Sequence, residues 1–151
     1  MRLEINSGWL EPVRRLPSPN CDDRPADCPI DLLVVHGISL PPTEFGGGWI
    51  DALFTNALDG AAHPYFAAIC GTRVSAHLLI DRAGGVTQYV PFGRRAWHAG
   101  PSRFEGRERC NDFSIGIELE GCDTVPYEAV QYVCLARIAV LLMQAYPGLT
   151  P

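Results

Sequence analysis

Three stretches in the first ninety residues group their apolar positions as β-strands do. Residues 32–35 form a short apolar run rich in β-branched side chains, which predicts a buried strand that ends at His36. Residues 75–81 and 86–90 are each mainly apolar, and the Ala-Gly-Gly turn at 83–85 separates them. This arrangement predicts an antiparallel hairpin.

A fourth strand is predicted at residues 114–120, where apolar and polar or small residues alternate strictly. Ile115, Ile117 and Leu119 share one face, and Glu118 lies on the other. The pattern leaves two interpretations of the second face open. It is either turned to solvent, or it places Glu118 in a cleft beside His36.

Helical spacing appears in two other segments. Residues 49–58 predict a short helix, and residues 126–146 predict a longer one, with Pro126 in its first turn and Pro147 after its end. Its predicted apolar stripe consists of Val130, Val133, Cys134, Ile138, Leu141, Leu142 and Ala145. The five prolines of residues 1–30 predict an extended arm without regular structure. Together these elements predict an α/β or α+β fold, a central sheet with helices packed on it.

The amino-acid composition and charge of the chain argue against several classes of function. Apolar residues make up 47% and charged residues 19% of 151 residues, which predicts a single globular domain spanning 1–151. The net charge of −5, without a basic cluster, argues against a nucleic-acid partner. No apolar run is long enough to span a membrane, and the N-terminus does not resemble a signal peptide. The six cysteines lack C-x-x-C spacing, so we expect reduced thiols and a cytoplasmic location.

Two side chains suggest hydrolytic chemistry. His36 follows an apolar strand, and a neutral imidazole held there suits a zinc ion. Glu118 could take a proton from a metal-bound water. The loop at residues 97–100 combines an indole, an imidazole and open backbone. Such a loop suits the binding of a sugar or a peptide, and it equally suits an aromatic ring that packs over an edge of the protein. Phosphate-loop and serine-elbow motifs are absent from the sequence.

Several segments, in order along nearly the whole chain, resemble the type-2 N-acetylmuramoyl-L-alanine amidases, a family that includes the peptidoglycan recognition proteins. The broad family is marked by Ser-Ala-His at 75–77, Ala-Trp-His-Ala-Gly at 96–100 and Ser-Ile-Gly-Ile-Glu at 114–118. Two further segments resemble the cytoplasmic, AmpD-like branch of this family: Ile-Ser-Leu-Pro-Pro at 38–42 and Gly-Arg-Glu-Arg-Cys-Asn-Asp-Phe at 106–113.

The resemblance implies a mixed sheet flanked by helices, with Zn²⁺ at the floor of a cleft. It implies hydrolysis of the amide between the lactyl group of 1,6-anhydro-N-acetylmuramic acid and L-alanine, a step of peptidoglycan recycling. By position, His36 matches a zinc ligand and Glu118 the catalytic glutamate. Arg73, Trp97, His98 and Asn111 fall where the family contacts substrate. A monomer is expected, with a small muropeptide as its partner.

The sequence also departs from the family. Its other zinc ligands and its lysine fall beyond Pro151, and no lysine occurs anywhere in the chain, so a C-terminal segment is expected to be missing. Gly37 stands where the family commonly has a polar residue. A non-catalytic module that binds peptidoglycan fragments and an inactive truncated fragment are therefore the alternatives. We expect residues 1–151 alone to be inactive.

Overall fold

A central mixed β-sheet lies between two helical layers in the computed structural model, which describes residues 1–150. The strands are β1 (Arg2–Glu4), β2 (Trp9–Glu11), β3 (Arg14–Arg15), β4 (Cys21–Asp23), β5 (Leu32–Ile38), β6 (Leu78–Ile80), β7 (Val86–Gln88), β8 (Arg94–Ala96), β9 (Arg103–Phe104), β10 (Arg107–Glu108) and β11 (Ser114–Glu120). The helices are α1 (Trp49–Phe54), α2 (Phe66–Ile69) and α3 (Ala129–Ala145), with a 3₁₀ turn at Cys110–Asp112. The predicted fold class is confirmed.

The main sheet has the strand order β3-β7-β6-β11-β5. Strand β11 runs parallel to both of its neighbours, β5 and β6, whereas β6 and β7 form the predicted antiparallel hairpin. The register places Glu118 of β11 opposite His36 on one side and Leu79 on the other. Paired residues of parallel strands point to the same face, so this register decides which side chains meet.

Each face of the sheet has its own apolar cluster. On the first face, Ile115, Ile117 and Leu119 pack with Ile138 and Leu142 of α3. On the second face, Leu79 of β6 packs with residues from α1 and α2, among them Ile50, Phe54 and Phe66. Because Leu79 is paired with Glu118, the polar side of β11 lies on this second face.

The N-terminal arm is more regular than the sequence predicts. Strands β1 and β2 form a hairpin, β3 extends the main sheet by pairing with β7, and β4 pairs with β8. The prediction of an unstructured arm was wrong because the prolines fall between these short strands, where they remove no ladder hydrogen bond.

Element boundaries also differ from prediction. Strand β5 continues through His36 to Ile38, so His36 lies within the strand and not at its end. Pairing with β11 along its whole length supports this extension across Gly37. Helix α1 stops at Phe54, four residues earlier than predicted.

Helix α3 begins at Ala129, after a capping box formed by Glu128 and Gln131, so Pro126 lies before the helix. The predicted stripe is correct for Ile138 and Leu142, which are fully buried. It is wrong for Val130 and Val133, which are exposed. Gln131 is buried instead, because its Nε2 donates to the carbonyls of Ile80 and Glu120.

All six cysteines are free thiols. Within residues 1–150, no helix has the length and apolar character that crossing a bilayer requires.

Candidate active site

His36 and Glu118 lie side by side on the second face of the sheet, on adjacent parallel strands in register. All seven residues of β11 are buried, so the solvent interpretation of its polar face was wrong. Glu118 is only 8% exposed, and its Oε2 is enclosed without a hydrogen-bond partner in residues 1–150. Burial raises the pKa of Glu118 to about 7. A carboxyl group in this state can both accept and donate a proton near neutral pH.

The imidazole of His98 contacts that of His36. His98 Nδ1 lies 2.9 Å from His36 Nε2, and the two rings meet edge to face with centroids 5.1 Å apart. The other nitrogen, His98 Nε2, lies 3.1 Å from Ser114 Oγ. Burial, and then the nearby His36 and Arg24, lower the pKa of His98 to about 3, so this ring is neutral.

The backbone of the 97–100 loop is held by Asn111. Its Oδ1 accepts hydrogen bonds from the backbone N–H of His98, at 3.1 Å, and of Ala99, at 2.9 Å. The absence of a side chain at Gly116 makes room for the ring, since a Cβ there would lie 2.3 Å from His98 Cγ. Asn111 and Gly116 therefore fix where the His98 ring lies.

Trp97 is anchored from the N-terminal arm. Its Nε1 donates to Asp22 Oδ1 at 3.1 Å. Arg95 binds both carboxylate oxygens of Asp22, at 2.7 and 2.6 Å, and lowers the pKa of Asp22 to about 2. Arg95 also pairs with Asp112. The indole is thereby oriented by a carboxylate that stays charged at all physiological pH values.

Arg73 and His77 lie in very different environments. Arg73 is exposed, and within residues 1–150 its side chain makes no hydrogen bond. His77 is fully buried, where its Nδ1 accepts from the Gly116 N–H at 3.0 Å and its Nε2 donates to the Arg94 carbonyl at 3.0 Å. His77 is thus a hydrogen-bonded core residue that links β11 to β8.

An open cleft of about 600 Å³ runs beside the two imidazoles. It is lined by the edge strand β5, by His36, His98 and Ala99, and by residues 102–104. The pair of histidines is therefore reachable from outside the protein.

The donors present fit part of a zinc site. His36 Nδ1 has no hydrogen-bond partner among residues 1–150 and is not enclosed, and burial lowers the pKa of His36, which favours the neutral ring that a metal needs. However, residues 1–150 contain no group of three or more His, Cys, Asp or Glu side chains that could hold a metal ion. A zinc site requires about three protein ligands. These residues alone do not complete it.

Sequence reasoning missed three residues that shape the site: Ser114, Gly116 and Asp22. Ser114 and Gly116 share the polar face with Glu118 on a strand of strict period two, so the alternation could have identified both. Asp22 gives no such signal, because its partners Arg95 and Trp97 are more than seventy residues away in the sequence.

Comparisons with known proteins identify the family of this chain. The sequence model described as N-acetylmuramoyl-L-alanine amidase matches residues 26–151, and the chain belongs to this family. A 1,6-anhydro-N-acetylmuramyl-L-alanine amidase, AmpD, from Citrobacter freundii is 61% identical over 145 residues, which cover 96% of this chain and 78% of that protein.

Solved structures of amidases match the fold of this chain. The crystal structure of a selenomethionine AmpD derivative matches with a TM-score of 0.95 at 60% identity, and the match covers 99% of this chain and 82% of that chain. The amidase AmiD from E. coli, in complex with the substrate anhydro-N-acetylmuramic acid-L-Ala-D-γ-Glu-L-Lys, matches with a TM-score of 0.53 at 28% identity. That match covers 86% of this chain and 49% of AmiD.

Proposed function

We propose that this protein hydrolyses the amide bond between the lactyl group of 1,6-anhydro-N-acetylmuramic acid and L-alanine in muropeptides, as a zinc enzyme of peptidoglycan recycling in the cytoplasm. The observation that carries the proposal is Glu118, a buried carboxyl group without a hydrogen-bond partner in residues 1–150, next to His36 on a shared face. The names of AmpD and of the AmiD complex support the substrate class.

Glu118 would move the proton in both halves of the reaction. In its charged form it takes a proton from the water that attacks the lactyl carbonyl carbon. In its protonated form it gives that proton to the departing alanine nitrogen, so the peptide leaves as an amine. A pKa of about 7 suits both steps, because neither form is scarce at neutral pH.

His36 would be one zinc ligand, and residues 1–150 do not supply the other ligands that such a site needs. The match to the AmpD of Citrobacter freundii covers 78% of that protein. When bound, zinc would lower the pKa of a water molecule to about 7 and polarise the carbonyl group. His98 would hold the His36 ring in place through the contact between their nitrogens.

Substrate binding is proposed for Arg73, Trp97, His98 and Asn111. Asn111 uses Oδ1 for the 97–100 loop, whereas its Nδ2 makes no hydrogen bond within residues 1–150 and can donate to a substrate carbonyl. Trp97 offers an oriented indole, and exposed Arg73 offers a positive charge for a peptide carboxylate. We further propose that residues 1–151 form a single amidase domain that acts as a monomer.

The alternative is a module that binds muropeptide without cutting it. It is favoured by one observation, the lack of a three-ligand group within residues 1–150. The unpartnered Glu118 argues against it, because an enclosed carboxyl group weakens a fold and a pure binder gains nothing from it.

Zinc content and hydrolysis of anhydro-muramoyl-tripeptide, measured on residues 1–151 and on the full gene product, test the proposal. We expect the full gene product to hold about one zinc per molecule and to release the tripeptide with a free alanine amine. We expect residues 1–151 to do neither. Binding of the muropeptide by the full gene product, without zinc and without cleavage, would overturn the proposal in favour of the binding module.

A further inference from the structure

We propose that Arg24, which follows β4 on the N-terminal arm, is a positioning residue for the substrate-binding loop at 97–100 and acts on that loop through Asn111. The proposal rests on the proposed function in one respect, namely that this loop binds the muropeptide. The hydrogen bonds that connect Arg24 to the loop belong to the protein without substrate and can be measured there.

The guanidinium group of Arg24 binds four backbone carbonyl groups. Nη1 donates to the carbonyl oxygens of Asn111, at 3.1 Å, and Asp112, at 3.0 Å. Nη2 donates to those of Ser114, at 2.8 Å, and Phe92, at 3.2 Å. Each of these nitrogens carries two protons, so the four bonds use all of them. Three of the four carbonyls belong to the turn that leads into β11, so the arm fixes the backbone of that turn.

Carbonyl oxygens here take the place of a counter-ion. Among residues 1–150 no carboxylate hydrogen-bonds to Arg24, and the carboxylate of Asp112 in the same turn is bound by two other arginines. Nη2 also lies 3.1 Å from His77 Nε2, but that nitrogen donates to the Arg94 carbonyl, so the contact is packing. Burying a charged group is unfavourable unless polar partners surround it, which indicates that Arg24 serves to hold backbone.

Asn111 transmits this restraint to the loop. Its backbone carbonyl is bound by Arg24, whereas its side-chain Oδ1 accepts from the backbone N–H groups of His98, at 3.1 Å, and Ala99, at 2.9 Å. Distances of up to about 3.2 Å are usual for such bonds, so a displacement of the turn by about 0.5 Å takes both out of range. The position of the turn therefore decides whether the loop keeps these two bonds.

The start of the loop is held by a different residue. The backbone N–H of Trp97 donates to Ser75 Oγ, and the Trp97 carbonyl accepts from the Ser75 N–H, each at 3.1 Å. By contrast, the N–H groups of His98 and Ala99 have no acceptor other than Asn111 within residues 1–150. Loss of Arg24 should therefore release the second half of the loop and leave the backbone of Trp97 in place.

Amide hydrogen exchange of the full gene product, followed by NMR spectroscopy, tests this expectation. Arg24→Gln has two side-chain N–H protons for four carbonyls. We expect the amides of His98 and Ala99 to exchange about 10- to 100-fold faster in this variant, because their acceptor is displaced. The Trp97 amide should keep its parental rate and is the internal control. Unchanged exchange at His98 and Ala99 would overturn the proposal.

A second variant covers the case in which Arg24→Gln does not fold. Arg24→Lys keeps the positive charge, but its single nitrogen has three protons and cannot bind four carbonyls. The amides of His98 and Ala99 should again exchange faster than in the parental protein. Parental exchange at both amides in folded Arg24→Lys would overturn the proposal.

Ile117→Ala separates positioning from a general loss of stability. Ile117 lies in the apolar cluster on the opposite face of β11. Loop amides exchange by local opening and not by global unfolding, so this variant should leave His98 and Ala99 near their parental rates. Equal acceleration in Ile117→Ala and Arg24→Gln would show that Arg24 acts only through stability, and would overturn the proposal.

The route through Asn111 is tested by combining variants. Asn111→Ala removes the shared acceptor and should accelerate the same two amides. Adding Arg24→Gln to Asn111→Ala should then have no further effect on them, because the connection is already broken. Additive effects of the two substitutions would overturn the proposed route and the proposal with it.

The KM for anhydro-muramoyl-tripeptide is the second readout in the full gene product. KM does not depend on the fraction of molecules that is folded, so a merely structural loss does not change it. We expect Arg24→Gln to raise KM about 10-fold and Ile117→Ala to keep the parental KM. Unchanged KM in Arg24→Gln would overturn the proposal. Faster loop exchange together with no hydrolysis by the parental protein would instead contradict the proposed function, and would leave Arg24 as the residue that fixes this loop.

Discussion

The two faces of β11 are equally buried but chemically opposite. On one face Ile115, Ile117 and Leu119 join the apolar cluster under α3. On the other face lie Ser114, Gly116, Glu118 and Glu120, all buried as well. Burying polar groups is unfavourable unless they are hydrogen-bonded. A buried polar strand face therefore indicates that its side chains have a structural or a chemical role.

The polar face itself contains a second contrast, between two glutamates. Glu120 is satisfied, since its oxygens accept from the backbone N–H groups of Gly46, at 2.6 Å, and Arg82, at 3.3 Å. Glu118 is equally buried and has no such partner within residues 1–150. The comparison indicates that Glu120 stabilises the backbone at Gly46 and Arg82, whereas the Glu118 carboxyl group is available to bind a proton or a ligand.

The largest expected effect comes from Glu118→Gln in the full gene product. It should lower turnover of anhydro-muramoyl-tripeptide by about 100- to 10,000-fold, because the amide cannot carry the proton. Zinc content should remain at the parental level, which a metal assay on the purified variant would show.

Glu120→Gln is the matched control for that prediction. It should cost about 1–3 kcal/mol of stability, because one backbone N–H loses its acceptor, and turnover per folded molecule should stay near the parental value. Parental turnover by Glu118→Gln would remove the proposed distinction between the two carboxyl groups.

Ile117→Ala tests the apolar face of the same strand. Ile117 is fully buried in the cluster with Ile138 and Leu142, so the truncation should lower the free energy of unfolding by about 2–5 kcal/mol. Urea denaturation of residues 1–151 measures the loss. The ¹⁵N shifts of the His36 and His98 rings should not change in the folded fraction, and a change would show that the two faces are not independent.

Gly116→Ala should have a modest effect on stability and a specific effect on the neighbouring His98 ring. The added Cβ would lie 2.3 Å from the His98 ring, which must move, at a cost of about 1–3 kcal/mol. Thermal unfolding gives the cost, and the ¹⁵N shifts of His98 and His36 give the displacement. If the shifts are unchanged, the ring is not packed against Gly116 as described.

The sequence was sufficient for the central strands, but it left open whether Glu118 faces solvent or lies beside His36, which the strand pairing of the structure decides. The strict alternation of residues 114–120 predicted β11 to the residue, because period two is the direct signature of a strand. The β6–β7 hairpin was predicted with strands two to four residues too long. The reason is that buried residues continue beyond the residues that pair through backbone hydrogen bonds. The AmpD-like resemblance then identified the family, which the comparisons confirm.

Other features depend on distant contacts that no local pattern encodes. Val130 and Val133 fit a helical stripe, yet α3 buries Gln131, whose amide reaches two strand carbonyls. The contact between His36 and His98 joins residues 62 positions apart, and Asp22 reaches Trp97 across 75 positions. The roles assigned to Arg73, Trp97, His98 and Asn111 in substrate binding stay predictions.

The pKa of the Glu118 carboxyl group is the most direct measure of whether it is the proton carrier. It can be followed by its ¹³C signal in metal-free residues 1–151 as pH is raised, with Glu118→Gln to assign the signal and Glu120 as the internal comparison. The structure predicts a midpoint at about 7, raised by burial from the ordinary value of 4.5. A midpoint near 4.5 would show a solvated or hydrogen-bonded carboxylate and would contradict the assignment of Glu118 as the group that moves the proton.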